Sequence, residues 1–258
     1  MSDRVYVPPF TTGSILNTGF GVLFSRFIPI LFASILVHVP LLLFYILSEP
    51  ADILAFANSQ FLVIGIDLVM SFVLSGAIAT LVVGALHGAD TSIGSALGTG
   101  FRRIFSILGV TILLALAIGI PVAGIVFVGA LLGQVGVIIF GIGAIVFALV
   151  LMAQFWVALP VTVIEREDPF SALGISADLT RGRRVSIIGA LIVLAIINVA
   201  IGFIAQMVIG PVTSLEELKP AMYVGTGIGI VIGMIGAVMA AAAYYLLAAP
   251  EGRLEFVR

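Results

Sequence analysis

The sequence predicts an all-α integral membrane protein with six transmembrane helices, arranged as about three parallel repeats of an amphipathic helix followed by two spans. Composition is the first observation: 62% of the 258 residues are apolar and only 9% are charged, against about 25% charged residues in a soluble domain. The apolar residues form runs long enough to cross a bilayer. The basic residues lie between alternate runs. Soluble enzymes, nucleic-acid-binding proteins and disordered chains are therefore excluded.

Each predicted span is an apolar run close to or above the roughly 20 residues needed to cross the hydrocarbon core. Only Gly133 and Gln134 separate the third and fourth spans, which predicts a tight helical hairpin. Spans and short loops take up the sequence, so we expect one transmembrane domain over residues 1–258. The spans are placed at 27–48, 60–86, 106–132, 135–163, 184–211 and 222–248.

The basic residues support the number of spans and predict an orientation. With six spans, every arginine falls on one side of the membrane and Lys219 alone falls on the other. Cytoplasmic loops of membrane proteins carry the excess of lysine and arginine. We therefore expect both termini and the loops 87–105 and 164–183 to be cytoplasmic, in a multi-pass protein of the inner membrane.

An internal repeat divides the chain. Residues 13–40 align with 94–121 without gaps, and Pro40 and Pro121 fall at the same position in mid-span. A weaker third copy begins near Ser171. Because all copies would enter the membrane from the same side, they are parallel repeats, unlike the inverted repeats of many transporters. The units are about 10–87, 91–166 and 168–250.

Each unit is predicted to open with an amphipathic helix. Apolar residues recur at helical spacing in both of the clearer copies, including Phe20 and Phe24 in the first and Phe101 and Phe105 in the second. Such a helix can lie in the headgroup region with its aromatic face in lipid. The alternative is that it packs under the bundle as an ordinary core-facing helix.

The last span carries small residues every four positions, beginning with Gly225, Gly229 and Gly233 and continuing with Ala237 and Ala241. Small residues on one helix stripe allow two backbones to approach closely in lipid. We expect this stripe to meet another helix of the same chain, with contact to a second copy as the alternative. Pro40, Pro121 and Pro160 should kink their helices, because each removes one backbone hydrogen bond.

Few polar residues lie inside the predicted spans. His38 and Asp67 have similar depths in the first two spans, and an antiparallel pair of helices could bring them together. Intramembrane ionisable residues are functional candidates because burying them is costly. A structural pair is the more common outcome. Gln154 and Asn198 are expected to form hydrogen bonds between helices rather than to bind a ligand.

The loop 164–184 is the most charged part of the chain. Its mixed signs predict local ion pairs that cap the cytoplasmic ends of two spans, each contributing about 0–1 kcal/mol. A sharper hypothesis is a headgroup or partner site built by Arg181, Arg183 and Arg184. The chain has no cysteine and two histidines, so we predict neither a cofactor nor a metal site.

This region also carries a family resemblance. The run from Phe155 to Glu165, followed by Ala172-Leu173, Ser176 and Leu179-Thr180, resembles a pattern in bacterial six-span proteins. These are related to the membrane domain of glycerophosphoryl diester phosphodiesterases and to allied uncharacterised families. The resemblance implies a helical membrane module associated with lipid, with Glu165 as its best-matched charged residue. Phosphodiesterase activity belongs to a separate soluble domain in that family, so we do not expect it here.

Three functions are compatible with these features. The first is a non-enzymatic inner-membrane module that contacts lipids, a membrane-protein partner or a second copy of itself, and not nucleic acid. The second is a small-solute or ion transporter or channel whose pathway includes His38 and Asp67. The third and weakest is a lipid-modifying enzyme that uses Asp67 or the cytoplasmic carboxylates.

Overall fold

The computed structural model describes residues 8–49, 51–52, 55, 60–210 and 214–254, and leaves the side chains of 60–64, 67–68, 215–216 and 218–219 undescribed. Every regular element with described bounds is helical. The helices are α1 (Thr12–Ser25), α2 (Phe27–Leu47), α3 (Gln60–His87), α4 (Ile93–Arg102), α5 (Ile104–Leu131), α6 (Gly133–Phe155), α7 (Ala158–Ile164), α8 (Pro169–Leu179), α9 (Arg184–Ile209), α10 (Leu215–Ala248) and a final 3₁₀ turn (Ala249–Glu251).

Within the described ranges, six helical stretches are long and apolar enough to cross a membrane, which confirms the predicted number of spans. The tight hairpin between α5 and α6 turns at Leu132 and Gly133, and Gly133 has φ +76°. Glycine adopts this left-handed conformation without the steric cost that a side chain brings. The spans are α2, the part of α3 from Val69, α5, α6 with α7, α9 and most of α10.

Three short helices, α1, α4 and α8, each begin on a side-chain cap. Thr11, Ser92 and Asp168 accept hydrogen bonds from backbone N–H groups of the first turn. Such caps satisfy amides that have no partner within the helix. Each short helix is followed by a span, and the residue immediately before that span is an arginine: Arg26, Arg103 or Arg183. We call these three residues the junction arginines.

Contacts between residues that are distant in the sequence bring the ends of several spans together at one end of the bundle. Tyr245 donates to the carbonyl of Leu86, and Thr12 donates to that of Ser186. A further contact joins Arg26 to Asp90. We call this the arginine end, because the arginines of the described residues lie there. The span residues at this end are Phe27, His87, Ile104, Ile164, Arg184 and Glu251.

The spans α3 and α10 form the centre of the bundle. In each of them 67% of the most apolar stretch is buried, against 6% in α5 and 17% in α9. The buried residues of α5 and α9 lie mainly in their first turns, at the arginine end. Their far halves expose large apolar side chains such as Phe127 and Phe203. The buried residues of these two spans therefore lie mostly toward the arginine end, and their far halves present apolar surface that suits lipid tails.

The short helices pack under the bundle through one face and expose another. In α1, Ile15 and Leu23 are buried while Phe24 is 74% exposed. In α4, Ala96 and Leu97 are buried while Phe101 is exposed. The buried faces agree with packing under the bundle, and the placement of the exposed aromatic faces in lipid stays a prediction.

The closest helix contacts involve other glycines than the predicted stripe. Nothing lies within 4 Å of a Cβ built on Gly225, Gly229 or Gly233, and all three residues are exposed. A Cβ on Gly76 would lie 2.8 Å from the Cα of Gly100. The three glycines of the stripe therefore meet no other helix among the described residues, whereas Ala241 is buried in the core and Ala237 packs against it. Steps of four residues advance by about 40° on a helix of 3.6 residues per turn, so the stripe winds from the exposed side at Gly225 to the buried side at Ala241.

Candidate functional site

Glu165 lies at the centre of a polar cluster at the arginine end. Its Oε2 atom lies 2.7 Å from Nη1 of Arg253, and its Oε1 atom accepts a hydrogen bond of 3.0 Å from the hydroxyl of Tyr244. The Glu165 side chain is only 11% exposed, and Tyr244 is fully buried. Nε of Arg253 also donates to Glu251 at 3.2 Å. We call Glu165, Tyr244, Glu251 and Arg253 the Glu165 cluster.

Electrostatics keep the arginine of this cluster charged. Burial by itself lowers the pKa of Arg253, but the charge of Glu165 and hydrogen bonds to Glu165 and Glu251 together raise it above its ordinary value. A shielded carboxylate and a guanidinium in such a pair stabilise each other, whereas either one left alone is costly. The Glu165 cluster is therefore a firm ionic connection between the ends of α7 and α10.

A break in the fourth span positions Glu165. The helix ends at Phe155 and resumes at Ala158 because Pro160 has no N–H to donate to the carbonyl one turn earlier. The carbonyl of Gln154, just before this break, accepts hydrogen bonds of 3.0 Å from the hydroxyls of Ser176 and Thr180 in α8 and just after it. Gln154 thus connects these elements through its backbone, and the predicted side-chain hydrogen bond between helices stays a prediction.

The next residue, Arg166, is the single described non-glycine residue with a positive φ, at +60°. Its carbonyl accepts a hydrogen bond of 3.4 Å from Nη1 of Arg103, one of the junction arginines. A left-handed arginine costs free energy that the surrounding contacts must offset. The turn after Glu165 is thereby fixed to the beginning of α5.

The three arginines predicted to build a headgroup or partner site, Arg181, Arg183 and Arg184, each have different neighbours. Arg181 forms an exposed ion pair of 3.1 Å with Asp178, which is the local type of pair that the mixed charges predicted. The guanidinium of Arg183 lies 5.6 Å from the centre of the Phe10 ring. Nε of Arg184 is buried and has no hydrogen-bond partner among the described residues. Glu165 does not form such a local ion pair, because its partner, Arg253, is distant in the sequence.

Among the polar candidates inside the spans, the side chains of His38 and Asn198 are described and that of Asp67 is not. His38 is buried, and its Nδ1 lies 2.8 Å from the carbonyl of Ser34 on the same helix. Asp67 belongs to α3, but its side chain lies outside the described residues, so the pairing with His38 stays a prediction. Oδ1 of Asn198 is buried without a partner in the part of the chain that the structure describes. No described residue of another helix forms the expected hydrogen bond with that atom.

Comparison with known proteins matches residues 11–248 to a domain of unknown function, DUF7847. The chain belongs to the DUF7847 family. The match includes all six spans apart from the last residues of α10's apolar stretch, and it includes Glu165 and Tyr244 but not Arg253. No curated protein and no solved structure is significantly similar to this DUF7847 chain.

The family match corrects part of the expected resemblance. It supports an uncharacterised membrane-protein family, and nothing links the chain to glycerophosphoryl diester phosphodiesterases. Sequence reasoning selected Glu165 but missed Tyr244 and Arg253, since both lie beyond the charged loop. In the sequence, Arg253 could have been noticed as an arginine that comes directly after the last span and close to Glu251.

Proposed function

We propose that this DUF7847 protein is a non-enzymatic, multi-pass membrane module that associates with lipid at its arginine end. One observation carries the proposal: a junction arginine stands between each short helix and its span, with a large exposed apolar side chain two residues away. These side chains are Phe24, Phe105 and Val185, and each is at least 74% exposed. Arginine beside exposed apolar groups matches the boundary between phosphate headgroups and acyl chains.

We propose further that three parallel repeats of about 10–87, 91–166 and 168–250 build this arrangement. The order of one short helix and two spans, and a side-chain cap before α1, α4 and α8, support it. Thr11 and Ser92 are separated by the same offset as the aligned residues 13–40 and 94–121. Repetition would place three similar headgroup contacts around one end of the bundle.

The membrane and orientation are part of the same proposal. The positive-inside rule favours an arginine end that faces the cytoplasm, with both termini there, in a bacterial inner membrane. Reporter fusions near Glu49 and Glu216 test it. External signals at both sites are expected, and a cytoplasmic signal at either would contradict the orientation.

Lipid retention tests the main proposal. The full chain, purified in mild detergent from membranes, should carry phospholipid in native mass spectrometry after repeated detergent washes. As a matched comparison, Arg26, Arg103 and Arg183 are replaced together by glutamine, and Arg181 is replaced alone. The triple variant should lose most of the lipid and the Arg181→Gln variant should keep it. A wild-type chain free of lipid would contradict the proposal.

A small-solute or ion transporter or channel is the second candidate, and the burial of His38 within the bundle favours it. Proteoliposome flux assays on the wild type, Asp67→Asn and the exposed control Asp90→Asn separate the two functions. Flux that Asp67→Asn abolishes and Asp90→Asn preserves would support transport. Absence of flux under proton, sodium and potassium gradients would count against it.

A further inference from the structure

A cavity of about 290 Å³ lies at the arginine end, between the start of α2, the end of α3 and the start of α4. Its apolar walls are formed by Pro29, Leu81, Ala85 and Ile93. The volume is close to the lower limit of ordinary ligand sites, at about 300 Å³. Well-packed helix contacts leave few voids larger than a water molecule. We call this space the Arg26 cavity.

The polar side of the Arg26 cavity carries one positive charge. Arg26 lines it together with the hydroxyl-bearing residues Thr91 and Ser92. The guanidinium lies 3.9 Å from the carboxylate of Asp90, and the Asp90 side chain is fully exposed. An exposed pair at this distance is worth little. Arg26 is therefore available to another anion.

At the other two junction arginines, Arg103 and Arg183, a neighbouring helix lies where the Arg26 cavity would be. Gly109 and Gly189 each lie six residues after their junction arginine. A Cβ on Gly109 would be 2.7 Å from Pro169, and one on Gly189 would be 2.5 Å from Thr12, so the neighbouring short helix begins directly against the span. In α2 the matching residue is Phe32. Without a glycine there, α4 does not close on α2 in the same way, and the Arg26 cavity remains.

The surroundings of the Arg26 cavity indicate its depth in the membrane. Phe24 and Phe27 are exposed on either side of Arg26, and exposed aromatic rings next to arginine mark the headgroup level. A guanidinium prefers phosphate oxygens, which it can bind through two parallel hydrogen bonds. We propose that the Arg26 cavity binds one phospholipid, with its phosphate on Arg26 and its first apolar groups against Pro29, Leu81 and Ala85. This inference rests on the lipid association proposed above and assigns one particular site to it.

Native mass spectrometry of the full chain, titrated with phosphatidylglycerol after delipidation, tests the site. Arg26→Gln should weaken binding of the tightest lipid about tenfold, the effect of losing one charge-assisted interaction. Arg181→Gln is the matched control, because Arg181 is equally basic and lies in an exposed ion pair away from the cavity. Equal affinity in the wild type and Arg26→Gln would overturn the proposal.

A second variant tests the apolar walls. Ala85→Leu keeps Arg26 and fills the cavity, so it should also weaken the tightest binding about tenfold by steric exclusion. Thermal unfolding in detergent confirms that each variant is folded. Normal lipid binding by folded Ala85→Leu would contradict the placement of the lipid in the cavity, even where Arg26→Gln is misfolded.

Inorganic phosphate distinguishes a lipid from a free anion. Millimolar phosphate should leave bound phosphatidylglycerol in place, because phosphate cannot use the apolar walls. Complete displacement would show a small-anion site and overturn the lipid assignment. Lipid retained by the wild type but unaffected by Arg26→Gln and Ala85→Leu would overturn this site alone, whereas a wild type without lipid would overturn the proposed function as well.

Discussion

At the scale of single residues, the Glu165 cluster has the strongest described ionic contact. Its ion pair differs from the Asp178–Arg181 pair in burial rather than in chemistry. The Glu165 carboxylate is 11% exposed, while both side chains of the Asp178–Arg181 pair are at least 70% exposed. Low exposure makes an unpaired carboxylate costly, because water cannot replace the lost partner.

Replacing Arg253 by glutamine should lower the free energy of unfolding by about 2 kcal/mol, between the values for exposed and fully buried pairs. Arg253 is itself 35% exposed, which limits the effect. Denaturation of the purified chain by sodium dodecyl sulfate in mixed micelles provides the measurement. Arg181→Gln is the control and should change stability by less than about 0.5 kcal/mol. Equal losses of stability in Arg253→Gln and Arg181→Gln would contradict the expected difference between the shielded and the exposed ion pair.

Replacing Asn198 should raise the free energy of unfolding, whereas replacing Arg253 should lower it. The buried Oδ1 atom has no partner among the described residues, so a leucine of similar size removes an uncompensated polar group. Asn198→Leu should stabilise the chain by about 1 kcal/mol in the same denaturation assay. Ile196→Leu, at an exposed position of the same helix, should have no effect. A destabilised Asn198→Leu variant would indicate that the amide has a partner in the membrane.

At the scale of helices, glycine acts where two backbones meet. A Cβ on Gly100 would collide with the backbone carbonyl of Val73, and a Cβ on Gly76, in the same helix as Val73, would lie 2.8 Å from the Cα of Gly100. Backbone atoms cannot rotate away as a flexible side chain can. The contact between α3 and α4 therefore depends on both glycines, which neither composition nor periodicity singled out.

Gly100→Ala should destabilise the chain by about 1–3 kcal/mol, the usual cost of overpacking. Gly98→Ala is the matched control in the same helix, because the nearest atom to its added Cβ is an arginine nitrogen at 3.9 Å. Thermal unfolding in detergent compares the two variants. Gly229→Ala should be tolerated as well, since its Cβ meets nothing within 4 Å. Similar melting temperatures for Gly98→Ala and Gly100→Ala would refute the close contact.

At the scale of the whole molecule, the spans have two unlike ends. The arginine end holds the three short helices, the junction arginines and the Glu165 cluster. The far halves of α5 and α9 pack on α6 and α10 through one side and expose apolar side chains on the others. A bilayer suits such a molecule because its apolar centre covers the exposed halves while headgroups meet the arginines.

Single-cysteine labelling tests this end-to-end arrangement, because the chain has no cysteine of its own. Asp90→Cys and Asp178→Cys should react with an impermeant maleimide from one membrane face. Ser48→Cys and Ser214→Cys, at the opposite ends of their spans, should react from the other face. Labelling of Asp90→Cys and Ser48→Cys from the same face would rule out α3, which lies between these two residues, as a span.

The sequence alone determined the six spans and their common arginine side, because these depend on local apolar length and on charge between spans. It also selected Glu165, as the best-matched charged residue of a family resemblance. It did not determine which residues meet: Arg253, Tyr244 and the Gly76–Gly100 contact come together only when α7, α10, α3 and α4 pack. The direction of the Gly225–Gly233 stripe likewise followed from the neighbours of α10, because helical periodicity defines a face without stating what that face contacts.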